Sequence, residues 1–195
     1  MKNSFMKLSF SLLVTIGLTT MTACKKGEND PFISLKTRKG RITGEWKLVE
    51  GTVIETETID GETGVYQTTY TSSTRVVDDG STDDYTENLI INRDGTYEEI
   101  IVQNGSTIKV KGNWYFSGKN EEIDLKKKEA VVFSETEHVF LNGTTTYEGL
   151  HADRIILIDQ LKNKKITFKG EIASDLTGPN PESYTYSYDR TFEKQ

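Results

Sequence analysis

LIINRDGTYEEIIVQNGSTIKVKGNWYF, residues 89–116, holds three apolar-rich runs separated by Asp94-Gly95 and Asn104-Gly105. These dipeptides carry the strongest short-range hairpin preference, because glycine enters the positive-φ region freely and Asp or Asn tolerates it. The stretch therefore reads as a three-stranded antiparallel meander. With Asn104 and Gly105 at the centre of the second turn, Gln103 faces Ser106, Ile101 faces Ile108, Glu99 faces Val110 and Tyr97 faces Gly112. On the other face Glu98 lies opposite Lys111, a charge pair suited to solvent. The first turn is a three-residue loop, Arg93-Asp94-Gly95, with Gly95 as a left-handed bulge. One face then carries Leu89, Ile91, Tyr97, Ile101, Ile108, Val110, Trp114 and Phe116, with Glu99 as its odd member. A lone carboxylate buried there is costly and its pKa rises. Either Glu99 pairs with a polar group inside, or a bulge or edge position turns it outward. The outward position is the expectation.

The rest of the chain extends the same pattern. Among 195 residues only three are proline, and Thr, Tyr, Ile and Val recur in alternating runs, which favours β structure. Gly44–Val49 opens the domain as a strand that continues towards Glu55, after a basic stretch, Phe32–Thr43, read as a short helical turn with solvated charges. Residues 60–64 form a turn, 65–77 one long strand rich in Tyr, Thr and Ser, and 78–84 an acidic loop. Beyond the meander, strands are expected around Ile123 and Leu125, over 130–141, over 144–147, over 154–158, over 164–172 and over 183–192. The run Arg154–Ile158 is continuously apolar after its arginine and reads as a central strand. The last strand places Tyr184, Tyr186, Tyr188 and Phe192 on one face. No long helix is expected, and no segment repeats at a fixed period.

Residues 1–23 read as a signal peptide, with Lys2 and Lys7 ahead of a short apolar run, Leu8–Leu18, and small residues leading to Ala23. The run is too short and too broken by Ser9, Ser11 and Thr15 to span a bilayer. Met21-Thr22-Ala23-Cys24 resembles the bacterial lipobox, in which the cysteine is acylated after cleavage. Cys24 is the only cysteine in the chain, so no internal disulfide is available. Its acylation, by palmitate-type chains, would supply the membrane anchor. The domain organisation is thus a signal peptide over 1–23, the acylated cysteine and a tether over 24–41, and a β domain over 42–195.

Charge and inventory narrow the function. The whole chain carries a net charge of −6, and removal of Lys2 and Lys7 makes it more acidic, which argues against nucleic-acid binding. There is no nucleophile elbow and no phosphate-cradling glycine loop, and the single thiol is assigned to acylation. His138 and His151 lack a third ligand at metal-site spacing, and the acidic run 78–84 misses the order of a calcium loop. Glu98/Glu99 and Glu121/Glu122 fall on opposite strand faces or in loops, so a glycosidase pair is not indicated. The chain is read as non-catalytic, with no metal and no cofactor.

Four pieces in order resemble the lipocalin-like domain of outer-membrane lipoproteins from Bacteroidetes-type bacteria. They are Gly44-Glu45-Trp46, the strand from Leu89 into Asp94-Gly95-Thr96-Tyr97, Gly112-Asn113-Trp114, and Ile158-x-x-Leu161 followed by Ile166-Thr167-Phe168. The long strand at 65–77 and the additional one at 183–192 depart from that pattern. The resemblance implies an all-β, antiparallel up-and-down (lipocalin-like) barrel of about 8–10 strands. It implies structural roles for Gly44, Trp46, Asp94, Gly95 and Gly112, with the tryptophans plugging the core. It also implies a lipid-anchored protein of the outer membrane, on its periplasmic face or the cell surface; Lys25 after the cysteine and the acids Glu28 and Asp30 fit that class. The expected function is non-catalytic binding of a small apolar or amphipathic ligand, with Tyr97, Glu99, Ile101 and Trp114 as ligand-binding candidates. The alternative is a protein-interaction subunit of an envelope complex, and a further possibility is glycan binding through exposed Tyr184, Tyr186 and Tyr188.

Overall fold

Alternating side chains and tight turns produce strands almost throughout. The computed structural model describes residues 36–59, 61–119, 129–140, 143–146, 153–176 and 182–195. One short helix, α1 (Arg38–Ile42), leads into β1 (Gly44–Ile59), β2 (Glu62–Thr71), β3 (Thr74–Val76) and β4 (Thr82–Ile91). The meander supplies the end of β4 together with β5 (Thr96–Gln103) and β6 (Ser106–Phe116). Then come β7 (Ala130–Phe140), β8 (Gly143–Thr146), β9 (Asp153–Leu161), β10 (Lys165–Leu176) and β11 (Glu182–Lys194). The order β6-β5-β4-β3-β2-β1-β11-β10-β9-β7 closes through a β6–β7 pairing. Among the described residues this is a ten-stranded antiparallel up-and-down barrel, with β8 as a hairpin extension of β7.

The meander has the register read from its turns. Tyr97 pairs with Gly112, Glu98 with Lys111, Glu99 with Val110, Ile101 with Ile108 and Gln103 with Ser106. Gly95 takes φ 101° in the first turn, where the Asp94 carboxylate accepts from the Thr96 amide at 2.9 Å. Gly112 is needed for a different reason. A Cβ there would collide with the Ser134 carbonyl oxygen across a bulge in the β6–β7 ladder, so the wall closes only around a bare backbone.

The number of strands in the wall changes along the barrel axis. Where β1 begins, Gly44–Lys47 pair directly with Asn88–Ile91 of β4, and β2 and β3 are absent from the ring. From Glu50 onward β1 pairs with β2, and β3 joins β2 to β4. The barrel therefore has a narrow end and a wide end. Helix α1 seals the narrow end, with Thr37 capping it through the Gly40 amide at 3.0 Å. The Trp46 indole donates to the Ile42 carbonyl at 2.7 Å, and that of Trp114 donates to the Asn92 carbonyl at 2.7 Å. Leu48, Ile91, Leu161, Ile166 and Phe192 fill the space beneath them.

Several expectations require correction. Residues 65–77 are two strands, β2 and β3, because the chain turns at Ser72-Ser73. Asp83 and Asp84 belong to β4 rather than to an acidic loop. The run at 154–158 is not covered on both faces, since Ile155 and Leu157 point outward and are exposed. The basic stretch before β1 is not a solvated edge. Arg38 and Arg41 are buried, with the Arg38 guanidinium 5.9 Å from the Phe116 ring centroid, so the folded unit begins before residue 42. Tyr184, Tyr186 and Tyr188 do not form one open platform, because Tyr188 is buried and Tyr186 packs against the core. The signal peptide, Cys24, Glu28, Asp30 and the strand expected around Ile123 and Leu125 lie outside the described residues.

Candidate functional site

Strand alternation sends Tyr85, Glu87, Leu89 and Ile91 of β4 inward, and Tyr97, Glu99 and Ile101 of β5 beside them. From the opposite wall come Arg154 and Ile156 of β9, and Tyr186, Tyr188, Arg190 and Phe192 of β11. Between the apolar plug and the tyrosines of the wide end they form a charged layer. The Arg154 guanidinium donates to Glu99 Oε2 at 2.7 Å. Arg190 donates to Glu87 Oε2 in a second ion pair, and the Tyr85 hydroxyl donates to the same oxygen at 2.6 Å. The expectation of an outward Glu99 is therefore overturned. The β5–β6 ladder runs through Glu99 without a bulge, and the carboxylate stays inside because Arg154 supplies its counter-charge.

The two carboxyls sit in unlike environments. Burial works against ionisation of Glu99, but the charge and hydrogen bond of Arg154, with Arg190 behind, hold it below the ordinary value of 4.5. For Glu87 burial is the largest influence and Glu99 adds a like charge, so despite Arg190 its carboxyl is pushed above 4.5. The Tyr85 phenol is pushed far above its usual range by burial and by Glu87. Burial also opposes the charge on Arg190 and Arg154, yet Glu87 and Glu99 respectively outweigh it and keep both firmly protonated.

This layer has a side opening. Strands β9 and β10 pair over Ile158–Leu161 and Ile166–Phe168, after which they diverge. Beyond Phe168, β10 continues to Leu176 against β11, while the first half of β9 pairs with β7. A tyrosine bridges the gap at its narrow point. Tyr188 lies opposite Gly170 and crosses it to accept from the Leu157 amide at 3.1 Å, replacing a ladder bond. A Cβ on Gly170 would stand 2.6 Å from that hydroxyl, so only glycine leaves room for the crossing. The cleft beside it encloses about 570 Å³ and is lined by Arg154, Ile156, Leu157, Phe168, Ile172, Tyr186 and Arg190. That volume falls within the range of small-molecule sites. Glu87 Oε1, Arg154 Nε and Arg190 Nε are buried and have no hydrogen-bond partner among the described residues.

Of the four ligand-binding candidates, the structure brings Tyr97 and Glu99 to this layer. Ile101 packs against the core nearer the wide end. Trp114 is separated from the cleft, held at the sealed end by its bond to Asn92. Sequence reasoning missed Glu87, Arg154 and Arg190. A signal existed: Tyr85-x-Glu87-x-Leu89-x-Ile91 and Tyr188-x-Arg190-x-Phe192 each place a charge on an apolar face at period two. His138 bonds Glu135 at 2.8 Å, and no three His, Cys, Asp or Glu converge on a metal position among the described residues.

These features define a closed antiparallel up-and-down β-barrel with a charged interior layer reached through its wall. Comparison with family models, with curated proteins and with solved structures finds no match.

Proposed function

We propose that this chain is a non-catalytic, lipid-anchored envelope protein whose barrel binds a small amphipathic ligand in the cleft between β9 and β10. The observation that carries the reading is the cleft itself. An apolar mouth opens onto the guanidinium groups of Arg154 and Arg190, and apolar walls with a few convergent polar groups are the composition of a specific ligand site rather than of a filled core. Anchoring rests on Cys24 and its lipobox-like setting, and outer-membrane placement rests on the lipocalin-like resemblance of the motifs. Cys24→Ser should move the protein from the detergent phase to the aqueous phase; unchanged partitioning would remove the anchor from the proposal.

Native mass spectrometry of the detergent-extracted full chain tests the cleft. A non-covalent small-molecule adduct is expected on the wild type and should be absent from Ile172→Trp, which fills the exposed lip without altering the thermal midpoint. A wild type without adduct, or an adduct that persists in Ile172→Trp, would contradict the reading. An interaction subunit is the second reading, and it is favoured by Ile59 and Tyr66, which are exposed on one face of the β1–β2 hairpin at the wide end.

A further inference from the structure

The cleft treats its charged lining unequally. Arg154 and Arg190 keep 40% and 20% of their side-chain surface accessible, whereas Glu99 and Glu87 keep 8% and 1%. Both guanidiniums line the opening and both of their carboxylates lie behind them, so an entering head group meets cations first. The geometry points to a single-tailed amphiphile with a carboxylate head, seated on Arg154 and Arg190 with its hydrocarbon tail leaving between β9 and β10. This inference rests on the ligand-binding reading above and names the class of ligand.

Three observations carry it. Guanidinium forks match planar carboxylates, and these two already hold carboxylates of the chain while keeping part of their side-chain surface open to the cleft. The exit is aliphatic, because Leu157 and Ile172 are exposed along its two edges and Ile155 extends the apolar surface outward on β9. The acid that lines the lip among the described residues, Glu171, sits in an exposed position beside Ile172, where water screens it. A cationic head would meet the two guanidiniums first.

Octanoate and 1-octanol, each labelled with carbon-13 at C1, separate the possibilities by NMR titration. The full chain is held in an amphipathic polymer, and the empty polymer is the blank. Octanoate is expected to bind about ten-fold or more tightly than 1-octanol, the margin of one charge-assisted hydrogen bond in a buried site. The double variant Arg154→Met with Glu99→Gln removes both partners of one ion pair and leaves no lone buried carboxylate. It should sharply narrow the margin between octanoate and 1-octanol, with Arg190 left as the remaining part of the seat. Equal binding of the two probes to the wild type would overturn the carboxylate inference and leave the ligand cleft standing. Displacement of neither probe resonance from the blank would overturn both. Octanoate affinity retained in a folded double variant would place the head group elsewhere and also defeat the inference.

Discussion

Trp46→Ala is expected to cost about 3–5 kcal/mol, the loss for truncating a large buried aromatic. Set against a total stability of about 5–15 kcal/mol for a domain, that is enough to unfold much of the population at physiological temperature. The indole is fully buried, its N–H holds the Ile42 carbonyl, and the Lys194 ammonium lies 4.9 Å from its ring centroid. Truncation therefore opens a cavity, leaves the Ile42 carbonyl without its donor and detaches α1 from the narrow end. Tyr66→Ala, on the exposed β1–β2 hairpin, removes an aromatic of similar size and should change stability by about 0.5 kcal/mol or less. Urea melts of the two variants compare them directly, and equal midpoints would remove Trp46 from the plug.

The second large effect concerns the charged layer. Arg190→Met leaves Glu87 buried without its counter-charge, at a cost of about 3–5 kcal/mol. Adding Glu87→Gln should recover most of it, because a neutral amide demands no cation. The pH dependence follows from the unlike carboxyls. Glu87 is raised when folded, so its contribution is complete below about pH 4.5 and is lost as pH rises through the folded value. Glu99 is lowered, so its contribution is present above about pH 4.5 and is lost as pH falls through the folded value. Arg190 is the main group holding the Glu87 pKa down, so Arg190→Met should steepen the loss towards neutral pH. The double variant should retain only the acid-side loss. A double variant no more stable than Arg190→Met, with the same pH slope, would show that Glu87 is not the buried charge at issue.

The meander was legible because its register depends on neighbours within a few residues. Asn104-Gly105 sets the pairing of Glu99 with Val110, and one apolar face follows from alternation. Closure was legible only through the motif resemblance, since no local rule brings β1 to β11. The charged layer is harder still. Its ion pairs join residues 55 and 103 positions apart, so each acid looks like an error on an apolar face until its partner strand is placed. The sequence alone points Glu99 outward for that reason: the cost of desolvation is visible in it and the counter-charge of Arg154 is not. The cleft depends on one glycine and one tyrosine, Gly170 and Tyr188, whose meeting requires the β10–β11 register. Neither residue type announces such a role on its own.

The seam between β1 and β11 governs how the chain reaches this structure. Trp46 pairs with Lys194 and Thr58 with Ser183, so the ring cannot shut until segments more than a hundred residues apart have met. Local hairpins such as β5–β6 form on a microsecond scale, whereas pairing of such high sequence separation is slow. Until β11 arrives, β1 and β10 both present naked edges, and the aliphatic face destined for the interior is uncovered. A chain truncated anywhere ahead of β11 is consequently left as an open, curled sheet with two sticky borders. Proteases and chaperones that survey nascent chains would recognise that species, and docking of Lys194 onto the Thr43 carbonyl beside Trp46 marks the moment it escapes them.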